Sequence, residues 1–409
     1  MNFSRRDILR MGAIGLSSTA AVGTASADND WSYSPMSAAP APGTNEVHLE
    51  DGWAYVSNFA GMATYDLSDP MVPQPGSYVD ADGESPDNRD VKVDGDLAGI
   101  ADNQSTPKGG VTFFDVSDPA SPEQVSYYDA EGGVHNFYLD GDTAYLTQGG
   151  GAMSVVDVSD PASPERLTRW QIGEDYRNDL GTGPHHDVYV QDGYAYMGYW
   201  TTGVIVADVT DPANPRVVAH LGVGPGHPEN AHYVQPTPDR KYMAIGAELL
   251  PGQGGVGIYH TPALAENEPG ELESVEPVAG KFDQKGAKAE PGSLAARADP
   301  FSPKPIDLVK APQAPQDALI TSHNFDLTND KAFTSWYQSG IRAYDFGNIR
   351  EGNPSEGTLE QIAEFNPPAG DAYWGARNLA SAAPDDDERY VTVAGNIGSG
   401  LNIFELTHD

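Results

Sequence analysis

The sequence predicts an all-β protein, a seven-bladed β-propeller of four-stranded antiparallel blades closed by a strand from the N-terminus. Three observations carry this prediction. The 409 residues include 45 Gly, 33 Pro and 20 Tyr spread along the chain, the profile of many short strands joined by tight turns. An apolar run ending in Asp, then a hydroxyl residue, then Asp-Pro recurs in near copies beginning at Gly61, Gly110, Ala152 and Gly203. The repeat residues Asp66, Asp115, Asp157 and Asp208 are spaced 49, 42 and 51 apart, a period that suits one four-stranded blade.

Three weaker copies extend the series to seven. They place His260 after Gly255, Asp345 after Gly340 and Glu405 after Gly400 in the position of the repeat Asp. Blade three shows the four strands most clearly, as 135–139, 144–148, 153–158 and 166–170. An Asp-Gly turn follows the first of these and Asp-Pro-Ala-Ser-Pro the third; Pro stops the ladder and Asp closes the turn. The last copy ends after its third strand. Trp31-Ser32-Tyr33 has the texture of the outer strand Val125-Ser126-Tyr127-Tyr128, so the N-terminus is expected to supply the missing strand and remove the open edges. The surplus between His260 and Asp345 falls at about 279–320, rich in Pro, Ala and Lys and without alternation. It reads as a loop joining blade five to blade six on the face of the expected site, a lid or docking arm in one reading and a surface loop in the other, with a degraded eighth blade as a further alternative.

The first 27 residues read as an export address. Arg5-Arg6 opens a twin-arginine pattern, Met11–Val22 is a short apolar stretch, and Ala25-Ser26-Ala27 is a small-residue cleavage site. The stretch is too short to span a bilayer. Residues 28–409 are then one propeller domain, expected outside the cell or at its surface.

Charge and cysteine narrow the function classes. Lys and Arg total 23 against 60 Asp and Glu, a net charge of -37. That excludes ordinary nucleic-acid binding and docking on an anionic membrane, and it suits a salt-rich medium, where screening makes dense carboxylates tolerable. No stable membrane insertion is expected, and the expected state is a monomer. With no Cys, disulfides, thiolate metal sites and Cys nucleophiles are absent. No phosphate loop, nucleophile elbow or zinc-protease motif occurs.

The Asp-Val-Ser-Asp-Pro-Ala-Ser-Pro copies, preceded by apolar runs such as Ser154-Val155-Val156, resemble the LVIVD-repeat family of secreted propellers, in particular its haloarchaeal type with a twin-arginine signal. The resemblance implies the propeller fold and an extracellular setting and says little about chemistry, which has to come from the site.

Counting back nine residues from the Ala of strand two reaches His135, His186 and His323 in blades three, four and six, and His232 holds the same place in blade five. The other blades place Asn45, Arg89 and, by matching Arg377-Asn378-Leu379 to His323-Asn324-Phe325, Arg377 there. Chance would put four of only 10 His in one such column roughly a few times in 10^4. Three readings of this column stay open: imidazoles capping inner strands, a transition-metal site, and an anion site shared with Arg89 and Arg377. Neutral imidazoles without thiolate favour copper or iron. His185, His227 and Glu229 are secondary candidates. Carotenoid-cleaving oxygenases and the methanethiol-oxidase family resemble this arrangement in setting His around an axial ion.

The turns between strands two and three bring Phe59, Gln148, Trp200, Glu248, Trp336 and Tyr337 toward the same rim, and Trp200, Trp336 and Tyr337 are candidate substrate contacts. On the opposite face, pairs such as Asp66/Asp69 have calcium-ligand chemistry, but their hydroxyl-Asp-Pro context favours turn capping. The sequence thus supports an axial copper or iron site with redox chemistry. The rival is a non-catalytic propeller that engages a small-molecule or cell-envelope ligand, a glycan or protein, through its His and aromatic face.

Overall fold

The computed structural model describes residues 24–25, 30–41, 43–82, 87–103, 109–172, 184–221, 230–248, 254–272, 305–312, 320–351, 357–368, 371–379 and 389–408. These form seven antiparallel sheets, six of four strands and one of five, in radial order. Blade one runs Thr44–Glu50, Trp53–Asn58, Gly61–Asp66 and Gln74–Asp80; blades two to four begin at Asn88–Asp94, Val134–Asp140 and His185–Gln191. Blade five starts with Ala231–Pro236, blade six with Phe325–Leu327 and blade seven with Tyr373–Asn378. Among the described residues no helix is long and apolar enough to cross a membrane.

The expected closure is present. Trp31–Pro40 pairs along its length with Gly400–His408, from Trp31 opposite His408 to Pro40 opposite Gly400. The last blade therefore joins both ends of the chain. Thr24–Ala25, inside the stretch read as an export address, adds a short fifth strand to blade six beside Glu360–Phe365.

The apolar core is annular. Seven clusters of buried side chains each lie between two neighbouring blades, such as Phe113, Phe137 and Val156 between blades two and three. Both faces of each sheet are covered, which is why the third strands read as unbroken apolar runs rather than alternating ones. The repeat Gly at the start of these strands has a steric cause. A Cβ on Gly110 or Gly340 would meet the carbonyl of Tyr128 or Phe365 on the outer strand.

The repeat Asp residues cap turns, as their context predicts. Asp157 Oδ1 accepts from the Ser159 amide at 2.9 Å and its hydroxyl at 2.6 Å, and Asp160 accepts from Ala162 N at 3.1 Å. Asp115, Asp208 and Asp345 repeat the first contact. The two acids that recur in each of these turns are thus accounted for by hydrogen bonding within the chain.

The stretch read as a loop at 279–320 needs correction in part. Pro305–Val309 is the outer strand of blade five, paired with Val256–His260. The surplus preceding it therefore enters between the third and fourth strands, on the Asp-Pro side rather than the His side. Alternation failed as a signal because this outer strand is five residues with a Pro at its head. The remainder, 279–304 and 313–319, lies outside the described residues.

Burial would push the Asp208 carboxyl up, but the Thr210 hydroxyl and amide and the Arg216 guanidinium, 2.6 Å away, hold it below its ordinary value. Arg216 is half exposed, so the turn bonds contribute more than the ion pair. Asp208→Ala is expected to cost about 1–2 kcal/mol in urea unfolding at pH 7. The difference should shrink as pH falls below about 4, because protonating the carboxyl removes the same contacts.

Candidate metal centre

The inner strands of blades one to five and of blade seven reach the axis through a break in their pairing. In blade four the register passes from His185 opposite Tyr199 to Asp187 opposite Gly198, and in blade five from Ala231 opposite Ala247 to Tyr233 opposite Gly246. The extra residue of each bulge is His186 or His232. A bulge re-aims a side chain that regular alternation would send into a blade interface. Blade three has the same shift across His135 and Asn136.

The four imidazoles meet. Ring centroids are 4.4 Å apart for His135 and His186, 4.0 Å for His186 and His232, and 4.4 Å for His232 and His323. Glu248, from the turn after strand two of blade five, reaches under them. Its Oε2 stands 3.4 Å from His232 Nε2 and 4.0 Å from His186 Nε2, and its Oε1 stands 3.9 Å from His323 Nε2. Donor atoms of His186, His232 and Glu248 all lie within 4.8 Å of one another. Two ligands each about 2.1 Å from a tetrahedral ion stand about 3.4 Å apart; the His232–Glu248 pair stands at that separation, and the wider His186 and His323 separations would have to close on a cation.

The electrostatics point the same way. His186 and His232 are held well below the ordinary imidazole range by burial first, and then by the rings of His232 and His135 for His186 and of His323 and His135 for His232. Burial lowers His323 to about 3, and burial with the Arg89 guanidinium lowers His135 to about 4. All four are neutral at pH 7 and present lone pairs rather than charge. Neither ring nitrogen of His232, which is 1% exposed, makes a hydrogen bond, nor does His186 Nδ1. Burial raises Glu248 while the Tyr337 hydroxyl, donating to Oε1 at 2.8 Å, opposes the rise. Unpaired imidazole nitrogens around a carboxylate, out of water, are an arrangement that a cation completes and that the protein alone does not.

The other candidates divide. Trp200 stacks on His186 with centroids 5.0 Å apart and planes 15° from parallel. Tyr337 touches both His323, at 4.9 Å, and Glu248, and it does so from a left-handed backbone conformation, φ 44°. Arg89 sits at the level of the column, paired with Asp87 at 2.9 Å and over the Phe59 ring at 5.1 Å. Trp336 is not on the rim. It is fully buried between blades five and six, with Nε1 donating to Thr334 Oγ1 at 2.7 Å. His185 stacks on Tyr199 beside the column rather than in it. His227 and Glu229 lie outside the described residues.

Arg377 requires a correction of register. Its place in the column belongs to Trp374, whose ring is 4.5 Å from that of His323. Arg377 lies three residues farther along the strand, buried in the axis, bound to Glu46 at 2.9 Å, the Tyr233 hydroxyl at 3.0 Å and the Phe325 carbonyl at 2.7 Å. The match of Arg377-Asn378-Leu379 to His323-Asn324-Phe325 fell three residues too far along, and the long first turn of blade seven, with strand two starting only at Arg389, left no count from strand two to check it. Anchoring instead on the parallel bridge partner of Asn324, which is Gly375, gives Trp374. The sequence placed Glu248 on the rim but gave no sign that it is a ligand candidate.

Residues 87–130, 131–169 and 182–221 match the LVIVD repeat, which corresponds to blades two, three and four. No curated protein matches the chain. Among solved structures, the β-propeller domain of Cps50 (Swd1) from Myceliophteria thermophila is similar over 90% of this chain and 98% of its own, with 10% identity and a TM-score of 0.60. U3-55K is similar over 94% and 100%, with 10% identity and a TM-score of 0.59. A putative 6-phosphogluconolactonase from Bacteroides uniformis is similar over 81% and 89%, with 11% identity and a TM-score of 0.55. At these identities the likeness shows the propeller fold alone.

The buried imidazoles bind protons more readily in the unfolded chain than in the folded one, so stability rises with pH below about 6.5. For His323 this contribution is complete above 6.5 and falls as pH drops toward 3, by up to about 1.4 kcal/mol per pH unit. Chelator-treated protein compared with His323→Gln by urea unfolding at pH 7, 6 and 5 is expected to show a shallower acid loss in the variant.

Proposed function

We propose that this is an exported, salt-adapted LVIVD-repeat propeller that holds a redox metal ion on its axis. The ion is iron or copper, ligated by His186, His232 and Glu248, with His323 and His135 completing or flanking the set. The observation that carries this reading is the approach of buried, unprotonated and unbonded imidazole nitrogens to one carboxylate. Two imidazoles and a carboxylate with open positions favour non-haem iron(II), and adding the remaining imidazoles favours copper. Such an ion supplies redox or Lewis-acid chemistry toward a small molecule entering from the rim.

The chain's own residues then have separable tasks. The Tyr337 hydroxyl occupies Glu248 Oε1, leaving Oε2 for the ion and fixing the carboxylate's rotation. Trp200 locks the His186 ring plane from one side. Arg89 is the cation at the height of the column and attracts an anionic group of a substrate. The acidic surface and the twin-arginine pattern support action outside the cell in a saline medium, after folding and loading of the ion inside it.

Protein purified without chelator is expected to carry close to one equivalent of iron or copper by elemental analysis. Less than a tenth of an equivalent, both as purified and after anaerobic reloading with iron(II) or copper, overturns the proposal. His232→Ala should weaken metal binding by roughly 100-fold or more, and Tyr337→Phe by about tenfold.

A further inference from the structure

Beside the column, between blades three and four, lies a cavity of about 460 Å³. His135 and His186 form its inner end, and Gln148, Arg169, His185 and Trp200 line its walls. Most polar groups there are already engaged. Gln148 Oε1 accepts from the Ser154 hydroxyl at 2.6 Å and from Arg169 Nε at 3.2 Å, and its Nε2 donates to the Ala130 carbonyl at 2.6 Å. Glu131, at the mouth, is paired with Arg166 at 2.9 Å.

Besides His186 Nδ1 at the inner end, two wall groups are not engaged. His185 lies flat on Tyr199, centroids 4.6 Å apart and planes 13° from parallel, with Nδ1 3.2 Å from the Ala152 carbonyl oxygen. A carbonyl only accepts, so in the neutral ring Nδ1 carries the proton and Nε2 is a bare acceptor. That Nε2 is buried and makes no hydrogen bond. Trp200 Nε1, which can only donate, is likewise buried and without a partner. Buried polar groups left unpaired are scarce in folded proteins and mark sites where something else binds.

We propose that this cavity is a binding site for a small hydroxyl-bearing molecule, neutral or anionic, whose hydroxyl donates to His185 Nε2 and which accepts from Trp200 Nε1. A ligand lacking the donor, such as an ether, leaves His185 Nε2 desolvated and unpaired, so discrimination between alcohol and ether is the signature of the site. A cationic ligand is disfavoured, because Arg169 faces the cavity while Glu131 is engaged. The site opens onto His135 and His186, so a molecule held here lies beside the proposed ion, yet the inference rests on the unpaired nitrogens and does not require metal.

The test uses the full chain after chelator treatment, with 2-naphthol and its methyl ether as probes in calorimetry. Binding of 2-naphthol, with the ether weaker by about tenfold or more, is expected. His185→Phe, which keeps the ring stack on Tyr199, should weaken 2-naphthol by about tenfold while metal titration stays within about twofold of the parent. Trp200→Phe should weaken 2-naphthol by about threefold or more. Equal binding of alcohol and ether, no binding of 2-naphthol at about 1 mM, or an unchanged affinity in His185→Phe overturns the proposal; the probe comparison on the parent protein stands even where a variant fails to fold.

Discussion

The bulge in the inner strands is the constraint on which the rest depends. It recurs in blades one to five and in blade seven, where the register slips at the axial end. An extra residue there frees a backbone amide, and an axial carboxylate satisfies it. Glu46 accepts from Val47 N at 3.0 Å, Asp90 from Val91 N at 2.9 Å and Asp187 from Val188 N at 2.8 Å. A hydroxyl from strand two fills the other side of the gap, Ser57 Oγ accepting from Glu46 N and Thr147 Oγ1 from Asn136 N, both at 3.0 Å. The residue just before each of these axial polar groups is the one turned onto the axis, and in blades three and four that residue is His135 or His186.

The same carboxylates tie blades to one another. Asp90 Oδ2 accepts from Phe137 N of the next blade at 3.0 Å, Asp187 Oδ2 accepts from Asn136 at 3.0 Å, and Glu46 holds both Asn324 and Arg377. Charge is unequal along this belt. Arg377 and Lys92 hold Glu46 below its ordinary value despite burial, whereas burial raises Asp90 and lifts Asp187 well above the carboxylate range. Asp187 thus holds a proton most readily, which limits the cost of several acids around two buried cations. Directional bonds of this kind fix the relative height of neighbouring blades, which apolar packing between sheets does not.

Two sides of the disc follow different rules. On the Asp-Pro side the repeat's own acids are consumed by local turns, and each unit solves its geometry alone. On the His side the polar groups are shared among three or four blades, and several nitrogens are left without partners. The unbonded atoms of His186, His232, His185 and Trp200 lie within two neighbouring blades. His323 Nδ1 of blade six and Arg89 Nε of blade two add to them at the axial end, so unmet polar capacity rings the axis there.

Repeat spacing, turn chemistry and the small-residue starts of the third strands were enough to read the blade number, the strand order of blade three and the closure by Trp31–Tyr33, because these depend on local sequence and a period. The His column was legible for the same reason, since identical hairpins deliver the same position to the axis. Legibility ended where loop length varied. In blade seven the long first turn removed the count from strand two, and the Arg377-Asn378-Leu379 match used instead fell three residues past Trp374, while the delayed outer strand of blade five hid Pro305–Val309 inside an apparent loop. Trp336 and Tyr337 are adjacent in sequence, yet one fills a blade interface and the other reaches Glu248. Only the tertiary structure decided that, and only it brought the Glu248 carboxylate beneath His232, because a contact between side chains of different blades is set by how the sheets twist and stack around the axis rather than by any spacing along the chain.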